Sequence, residues 1–333
     1  MITRSDYADF PEILIEFLNY MDAIKNRSKL TISEYATDLR TFFRFMKYYK
    51  GLVTIKDISN EEEFNSILIK DIDDDFVKNI TITDAYAFLA YCKDDRGNSA
   101  RTRARKVSTI RDFFKFCKVQ KGILKINPME QLDSPKLKQT LPKYLTLDEA
   151  TELLRNSFEG SNKERDFAII TLFLNCGMRL AELVSLNYTD IREDNTIKVT
   201  GKGNKERTIY LNEACIGAIN NYMRVRPVDG VKDKDALFLS NRLQRISPKT
   251  VQHIVYQALD RAGLSGYSTH KLRHTAATLM YQYGDTDILV LKEILGHENV
   301  GTTQIYTHIV NDQLKAATDN NPLNKTKIKK DPD

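Results

Sequence analysis

The sequence predicts a mainly helical α+β protein in which one small β-hairpin lies among helices and the chain forms two domains. Apolar residues recur at helical spacing through most of the 333 residues. Two alternating runs, Thr196–Thr200 and 206–211, flank a segment with two glycines and predict the hairpin. Residues 126–145, rich in proline and lysine, predict an extended linker between a helical domain at 1–125 and a second domain at 146–333.

The first domain is predicted to contain four helices. Helical spacing indicates one helix near residues 13–21 and another that opens with a capping box at 31–34. Further helices are predicted at 84–92 and 98–119. The acidic segment 57–75 shows little periodicity, so it is predicted to be a solvated loop.

Basic residues concentrate where the fourth helix starts and in the linker. The candidates for phosphate contacts with nucleic acid are Arg96, Arg101, Arg103, Arg105, Lys106, Lys136 and Lys138. A basic helix face suits phosphate contacts, and an ordinary solvated face explains the same residues equally well.

The composition narrows the class of protein. Lys and Arg outnumber Asp and Glu by 50 to 45, which favours a polyanionic partner only mildly. The four cysteines stand singly, most of them in apolar helical patterns, and are expected to be buried free thiols. The sequence shows no signal-peptide pattern and no apolar run near about 18 residues, so we expect a cytoplasmic protein without a membrane anchor.

The second domain is predicted to begin with a capping box at 146–149 and a short helix. A further helix at 166–175 runs to Gly177, and another helix follows Arg179. Arg179 therefore stands between two helices, which gives its guanidinium a fixed, half-buried place.

Several chemically distinctive side chains fall between residues 268 and 308. His270 and Arg273 are three residues apart at the start of a predicted helix, so both project from its first turn. A second helix is predicted to end at Gly296, directly before His297, and Tyr306 follows nine residues later. An arginine, two histidines and a tyrosine suit an anion that is attacked by a phenol.

Each candidate also has a purely structural explanation. Arg179 suits a salt bridge, Lys202 a solvated turn, His297 a helix-end cap and Tyr306 a packed core. The combination favours a functional site, because all of these residue types would otherwise have to occur together by accident.

Five motifs are similar to those of the tyrosine recombinase (phage integrase) family, in particular its short Xer-type members. The motifs are CGMRLAEL, TGKGNKER, HKLRH, LGHENVGTTQIYTH and the opening LTISEYATDLRTFFRF. The resemblance spans nearly the whole chain, and it implies the catalytic residues Arg179, Lys202, His270, Arg273, His297 and Tyr306. The flanks of the first arginine and the length of residues 50–80 depart from the usual family pattern.

The resemblance implies a site-specific recombinase that cuts and rejoins DNA. Tyr306 would attack a phosphodiester, release a 5′-hydroxyl and form a 3′-phosphotyrosyl bond. Arg179 and Arg273 would stabilise the charge on the phosphate oxygens, because a planar guanidinium matches phosphate bidentately. Since the covalent bond retains the energy of the phosphodiester, no ATP is expected. Since the two arginines would take the place of metal ions at the phosphate, no metal or other cofactor is expected.

The remaining site residues have proton-handling or supporting roles by the same resemblance. Lys202 would protonate the leaving 5′-oxygen, and His270 would manage the proton of the tyrosine. His297 would donate a hydrogen bond to the phosphate. Glu182, one helical turn after Arg179, is expected to orient that arginine.

The implied partners are a double-stranded DNA recombination site, an accessory activator, and further recombinase subunits. These subunits would form a homo-tetramer on two sites or a hetero-tetramer with a related recombinase. Resolution of chromosome or plasmid dimers is the predicted role, with an integrase of a mobile element or prophage as the alternative. A non-catalytic DNA-binding protein, the alternative of a different class, would not need Tyr306 together with both arginines.

Overall fold

The computed structural model describes residues 7–137, 143–200, 206–284, 286–296 and 303. The chain divides into two compact units, Met1–Gln139 and Thr140–Asp333. Helices dominate both units, and the described strands form one antiparallel two-stranded sheet in the second unit. The predicted fold class, mainly α with a small β-hairpin, is confirmed.

The first unit is a helical domain around an aromatic core. Its helices are α1 (Glu12–Ala23), α2 (Lys29–Tyr49), α3 (Glu61–Ser66), α4 (Asp74–Lys78), α5 (Ile82–Asp94) and α6 (Ala100–Val119). Phe17 on α1 meets Phe113 on α6 edge to face, with ring centroids 5.4 Å apart. Phe42 on α2 packs in the same manner on Phe88 of α5, at 5.1 Å. These fully buried rings join four helices into one core.

Helix α2 begins earlier than the sequence pattern predicted. The capping box expected at 31–34 is wrong, because the helix already starts at Lys29. Ser28 is the N-cap, and its hydroxyl accepts a hydrogen bond from the backbone N–H of Thr31 at 3.2 Å.

The acidic segment 57–75 is not a solvated loop, so that prediction is wrong. It contains α3 and the start of α4, and their N-caps are Asn60 and Asp73. Phe64, Ile69 and neighbouring isoleucines are buried in the core of the first unit. The acidic side chains face water while isolated apolar residues anchor the segment, a pattern too irregular to register as periodicity.

The predicted linker 126–145 is attached to a core at each end. Met129 and Leu132 are buried in the first unit, and Leu145 is buried in the second. The backbone N–H of Leu145 donates to the hydroxyl of Thr275 at 2.9 Å. The extended conformation stays a prediction, since residues 138–142, including Lys138, lie outside the described part of the chain.

The second unit surrounds one helix that is apolar on nearly all sides. Its elements are α7 (Leu147–Ser157), α8 (Lys163–Cys176), α9 (Leu180–Ser185), β1 (Thr196–Thr200), β2 (Glu206–Tyr210), α10 (Glu213–Val225), α11 (Pro248–Arg261), α12 (Thr269–Tyr283) and α13 (Ile288–Leu295). Helix α8 packs against α7, α10 and α12. A helix that buries every face takes the centre of its domain, so the residues after its C-terminus are held close to the core.

Two smaller predictions, the capping box of α7 and the state of the cysteines, are tested by the fold. The capping box of α7 is confirmed, with Thr146 and Glu149 bonding to each other's backbone N–H groups. All four cysteines are buried and free, as predicted, and the sulfur atoms of Cys176 and Cys215 lie 3.6 Å apart. None of the helices described here has both the length and the apolar character needed to cross a membrane.

Candidate active site

Arg179 lies at the junction between α8 and α9, as the sequence predicted. Gly177 ends α8 in the left-handed conformation, at φ 58°, and Arg179 is the N-cap of α9. Its side chain is 33% exposed. One guanidinium nitrogen, Nη2, donates to the carbonyl of Gly296 at 2.7 Å. Arg179 is thus anchored on one side and open to solvent on the other.

His270 and Arg273 both lie in the first turns of α12, but their environments differ. His270 is exposed, whereas Arg273 is only 3% exposed. The Arg273 guanidinium donates through Nη1 to the carbonyl of Gly177 at 2.7 Å and through Nη2 to that of Leu295 at 2.5 Å. Arg273 therefore connects the C-terminal ends of α8 and α13.

Glu182 on α9 is the buried acceptor of the site, with an exposure of 2%. Its carboxylate accepts from the backbone N–H of Arg179 at 2.7 Å and from Arg179 Nη1 at 2.8 Å. The predicted contact between Glu182 and Arg179 is confirmed. Burial alone would raise the pKa of Glu182, but hydrogen bonds from Arg207 and Arg179 outweigh it and hold that pKa below its ordinary value.

Arg207 belongs to the same network, although the sequence analysis missed it. It lies on β2, and both of its terminal nitrogens donate to the Glu182 carboxylate, Nη2 at 2.9 Å. Along β2, Arg207 shares the inward face with buried Ile209. The sequence could have indicated Arg207 by its inward position on the predicted strand, since a buried guanidinium requires hydrogen-bond acceptors.

The three arginines converge on the C-terminal end of α13. Arg207 Nε donates to the carbonyl of Ile294 at 3.1 Å, while Arg273 and Arg179 take the next two carbonyls, those of Leu295 and Gly296. The last carbonyls of a helix lack partners within the helix and carry partial negative charge. Three cations therefore fix this helix end, and His297 is the next residue of the chain.

His270 and His274 form a pair on α12. Their rings pack edge to face with centroids 4.6 Å apart. Burial, followed by the charges of His270 and Arg273, lowers the pKa of His274 to about 4. His274 is therefore neutral at neutral pH, and it adds no positive charge beside His270.

Three of the six predicted catalytic residues can be placed. Arg179 follows α8, and α8 packs against α12, which carries His270 and Arg273. The two arginines reach the same helix end. Lys202, His297 and Tyr306 lie outside the described residues. The described part of the site offers a partly exposed guanidinium and an exposed imidazole, which suit the binding of an anion and the movement of a proton.

The basic residues of the first unit fall into two groups. Arg101 and Lys136 are exposed, as a phosphate contact requires. Arg103 Nη1 donates to the carbonyl of Asn98 at 2.8 Å, and Arg96 lies over the ring of Phe64 and near Glu61. Direct phosphate contact stays a prediction for these residues.

Lys106 has a different role from the one predicted. It is only 6% exposed, and its ammonium donates to buried Asp38 at 2.9 Å. Arg105 binds the other oxygen of the same carboxylate at 2.5 Å. A buried carboxylate needs such partners, so Lys106 stabilises the fold and is not available to a phosphate in this structure.

Family profiles match most of the chain. The phage integrase family matches residues 143–313, and the phage integrase N-terminal SAM-like domain matches residues 14–64 and 63–121. The chain therefore belongs to the phage integrase family, the class of tyrosine recombinases that the motifs indicated.

Curated relatives narrow the class further. The chain is 53% identical over 316 residues to a tyrosine recombinase XerC of Caldanaerobacter subterraneus subsp. tengcongensis, covering 94% of this chain and 88% of the relative. It is 34% identical over 304 residues to that of Thermodesulfovibrio yellowstonii, covering 89% and 91%. The chain is thus an enzyme of the Xer-type site-specific tyrosine recombinases, as predicted.

Solved structures show the same fold at lower identity. A XerH site-specific recombinase bound to difH substrate in a pre-cleavage complex gives a TM-score of 0.66 at 23% identity, covering 92% of this chain and 83% of that one. A lambda integrase fragment bound to a core site gives 0.62 at 18% identity, covering 87% and 95%. The two-unit architecture is therefore shared with these proteins.

Proposed function

We propose that this recombinase cuts DNA through a 3′-phosphotyrosyl bond at Tyr306 and rejoins the strands in exchanged order. The observation that carries the proposal is the convergence of Arg179 and Arg273 on the helix end directly before His297. Paired guanidinium groups stabilise the charge of a phosphate under attack. The DNA-bound recombinases among the solved structures support double-stranded DNA as the partner.

Each of the six residues then has a role in the reaction. Arg179, which is anchored on one side and open on the other, binds the nonbridging oxygens of the phosphate. Arg273, which lies on the buried side of the same helix end, stabilises the charge on the phosphate together with Arg179. Exposed His270 takes the proton of the attacking phenol.

The remaining roles belong to residues outside the described part of the chain. Lys202 protonates the leaving 5′-oxygen, and His297 donates a hydrogen bond to the phosphate. Because the phosphotyrosyl bond retains the energy of the original bond, rejoining by a second 5′-hydroxyl requires no ATP. Because Arg179 and Arg273 stabilise the charge on the phosphate, the reaction requires no metal.

The proposed assembly is a tetramer on two DNA sites, either of this chain alone or with a related recombinase and an accessory activator. The sequence predicts a short amphipathic helix at 312–318, outside the described residues, and such a helix would be too short to be stable without a docking surface. Large apolar side chains are exposed on the second unit at Tyr210, Leu289 and Val290. Tyr210 and Val290 line one cleft, and an exposed apolar surface of this kind suits the docking of such a segment from a neighbouring subunit.

The proposed cellular role is the resolution of chromosome or plasmid dimers, and the proposed location is the cytoplasm. Xer-type relatives support this role over integration of a mobile element. Chromatin immunoprecipitation of the tagged protein identifies the DNA site and distinguishes dimer resolution from integration of a mobile element. Peaks near the replication terminus support dimer resolution, and peaks at the ends of a mobile element support integration.

Covalent cleavage is tested on a nicked substrate that carries the site found in this way, in EDTA. Wild type should form a protein–DNA adduct, and Tyr306→Phe should bind the site without forming one. Arg179→Ala should bind but cleave at least about 100-fold more slowly, the scale expected when a transition-state charge donor is lost. An adduct with Tyr306→Phe would overturn the assignment of the nucleophile, and a loss confined to binding would overturn the role of Arg179.

A further inference from the structure

We propose that Arg207 is a positioning residue for strand cleavage, an inference that rests on the proposed function. Arg207 neutralises the buried Glu182 carboxylate and holds the end of α13, and thereby leaves the charge of Arg179 available to the phosphate. Arg207 does not touch the DNA in this proposal, so its effect passes through Glu182 and Arg179.

The contacts of Arg207 join β2 to α9 and to α13. Its side chain is 13% exposed, and its three nitrogens reach two different elements. Nη1 and Nη2 hold Glu182 on α9 in a bidentate fork, and Nε holds the carbonyl of Ile294 on α13. A planar guanidinium orients both partners at once, which a lysine ammonium cannot do.

The charges explain why the site needs this residue. Glu182 is almost fully buried, and its ion pairs among the described residues are with Arg179 and Arg207. Without Arg207, the carboxylate would draw its compensation from Arg179 alone. A phosphate would then have to compete with a buried carboxylate for the same guanidinium, and the transition state would be less stabilised.

Arg207 also connects the hairpin to the rest of the site. It lies on β2, opposite Val199 of β1. Gly296 packs against it, since a Cβ atom there would lie 2.9 Å from Arg207 Cδ. The hairpin, the Glu182 carboxylate and the end of α13 are therefore held in one arrangement by a single side chain.

A double-mutant cycle tests the proposal with the full-length protein and the nicked substrate. Arg207→Gln should slow adduct formation about 10- to 100-fold, the range expected for a residue that supports a site residue, while affinity for the DNA site stays within about threefold. Glu182→Gln should also slow cleavage in the wild-type background. In the Arg207→Gln background, however, Glu182→Gln should speed cleavage, because it removes the charge that competes for Arg179.

Two further variants separate positioning from general stability. Arg207→Lys keeps the charge without the fork, so its cleavage rate should fall between those of wild type and Arg207→Gln. Arg165→Gln is the matched control, because Arg165 also joins a carboxylate, Asp166, at 2.8 Å to a backbone carbonyl, that of Leu239, at 3.0 Å. This control should reduce stability without slowing cleavage by the folded protein.

The cleavage rates of these variants distinguish a failure of the Arg207 proposal from a failure of the proposed function. Wild-type cleavage by Arg207→Gln would overturn the proposal, as would a double variant that is slower than Arg207→Gln alone. If Arg207→Gln does not fold, the proposal is tested with Arg207→Lys and with the Arg207→Gln, Glu182→Gln double variant. Cleavage at the wild-type rate by both of these proteins would overturn the proposal. Failure of wild type itself to form an adduct would instead contradict the proposed function.

Discussion

Exposure separates the three arginines of the site. Arg179 is one-third exposed and can reach a phosphate, whereas Arg273 and Arg207 are nearly buried. All three donate to successive carbonyls at the end of α13. In this structure one guanidinium faces solvent and two are fixed by neighbouring carbonyl and carboxylate groups, which limits the reorganisation needed when phosphate binds.

A pH-dependent stability is predicted at His274. Its pKa of about 4 in the folded protein lies below the ordinary 6.5, so between these values the unfolded chain binds more protons. The free energy of unfolding should therefore fall as pH drops from 6.5 towards 4. Above pH 6.5, His274 should no longer make the free energy of unfolding depend on pH. His274→Gln should reduce the fall, as measured by urea denaturation at pH 7, 5.5 and 4.5.

The control for this prediction is the same substitution at His253, an exposed histidine of α11. It reports any general effect of removing a histidine. A wild-type and a His274→Gln protein with the same pH dependence would show that His274 is not held neutral by its burial.

Motifs predicted some site residues and could not predict others. Arg179, His270 and Arg273 were found because they stand at fixed spacings beside predicted helix ends. Arg207 was missed, because its function depends on Glu182 and on α13, which are distant in sequence. Lys106 was assigned to phosphate because its buried partner, Asp38, lies on another helix. Charge in the sequence does not reveal which cations are already paired.

At the scale of elements, left-handed glycines end the two helices that meet at the site. Gly177 follows α8 at φ 58°, and Gly296 follows α13 at φ 62°. A Cβ atom on Gly177 would lie 3.0 Å from Leu295 Cδ2. Both the backbone conformation and the packing therefore favour glycine where α8 meets α13.

Gly177→Ala should destabilise the protein by about 1–2 kcal/mol, the cost of a left-handed non-glycine residue, with a further contribution from the contact with Leu295. Gly217→Ala is the matched control, because Gly217 lies inside α10 with open space around its Cα. It should stabilise by about 0.5–1 kcal/mol. Chemical denaturation of both variants measures the difference, and equal effects would contradict the proposed constraint at Gly177.

Element types were more predictable than their boundaries. The hairpin strands and the helix ends at Gly177 and Gly296 followed from alternation and from glycine. The start of α2 did not, because Ser28 and Thr31 are both good caps, and in the structure the Ser28 hydroxyl accepts from the N–H of Thr31. The acidic segment 57–75 was wrongly predicted to be a loop, because its few buried apolar residues are spaced irregularly among many charged ones.

At the scale of the whole molecule, the two units have separate cores joined through residues 138–142. We predict that both contact the DNA site and that the connection joins two modest interfaces through a high effective concentration. Cleavage of the chain at a protease site inserted after Leu137 should weaken site binding by at least about 100-fold while both halves stay folded. The uncut insertion variant is the control, and equal affinity before and after cutting would contradict the prediction.

The central claim, a 3′-phosphotyrosyl bond at Tyr306, is tested most directly by mass spectrometry of the adduct. The protein is trapped on the nicked substrate and digested with trypsin and nuclease, and the peptide that carries the nucleotide is sequenced. We predict one modified peptide, with the nucleotide joined through its 3′-phosphate to the phenolic oxygen of Tyr306. A nucleotide attached to another residue, or joined through a 5′-phosphate, would contradict the account.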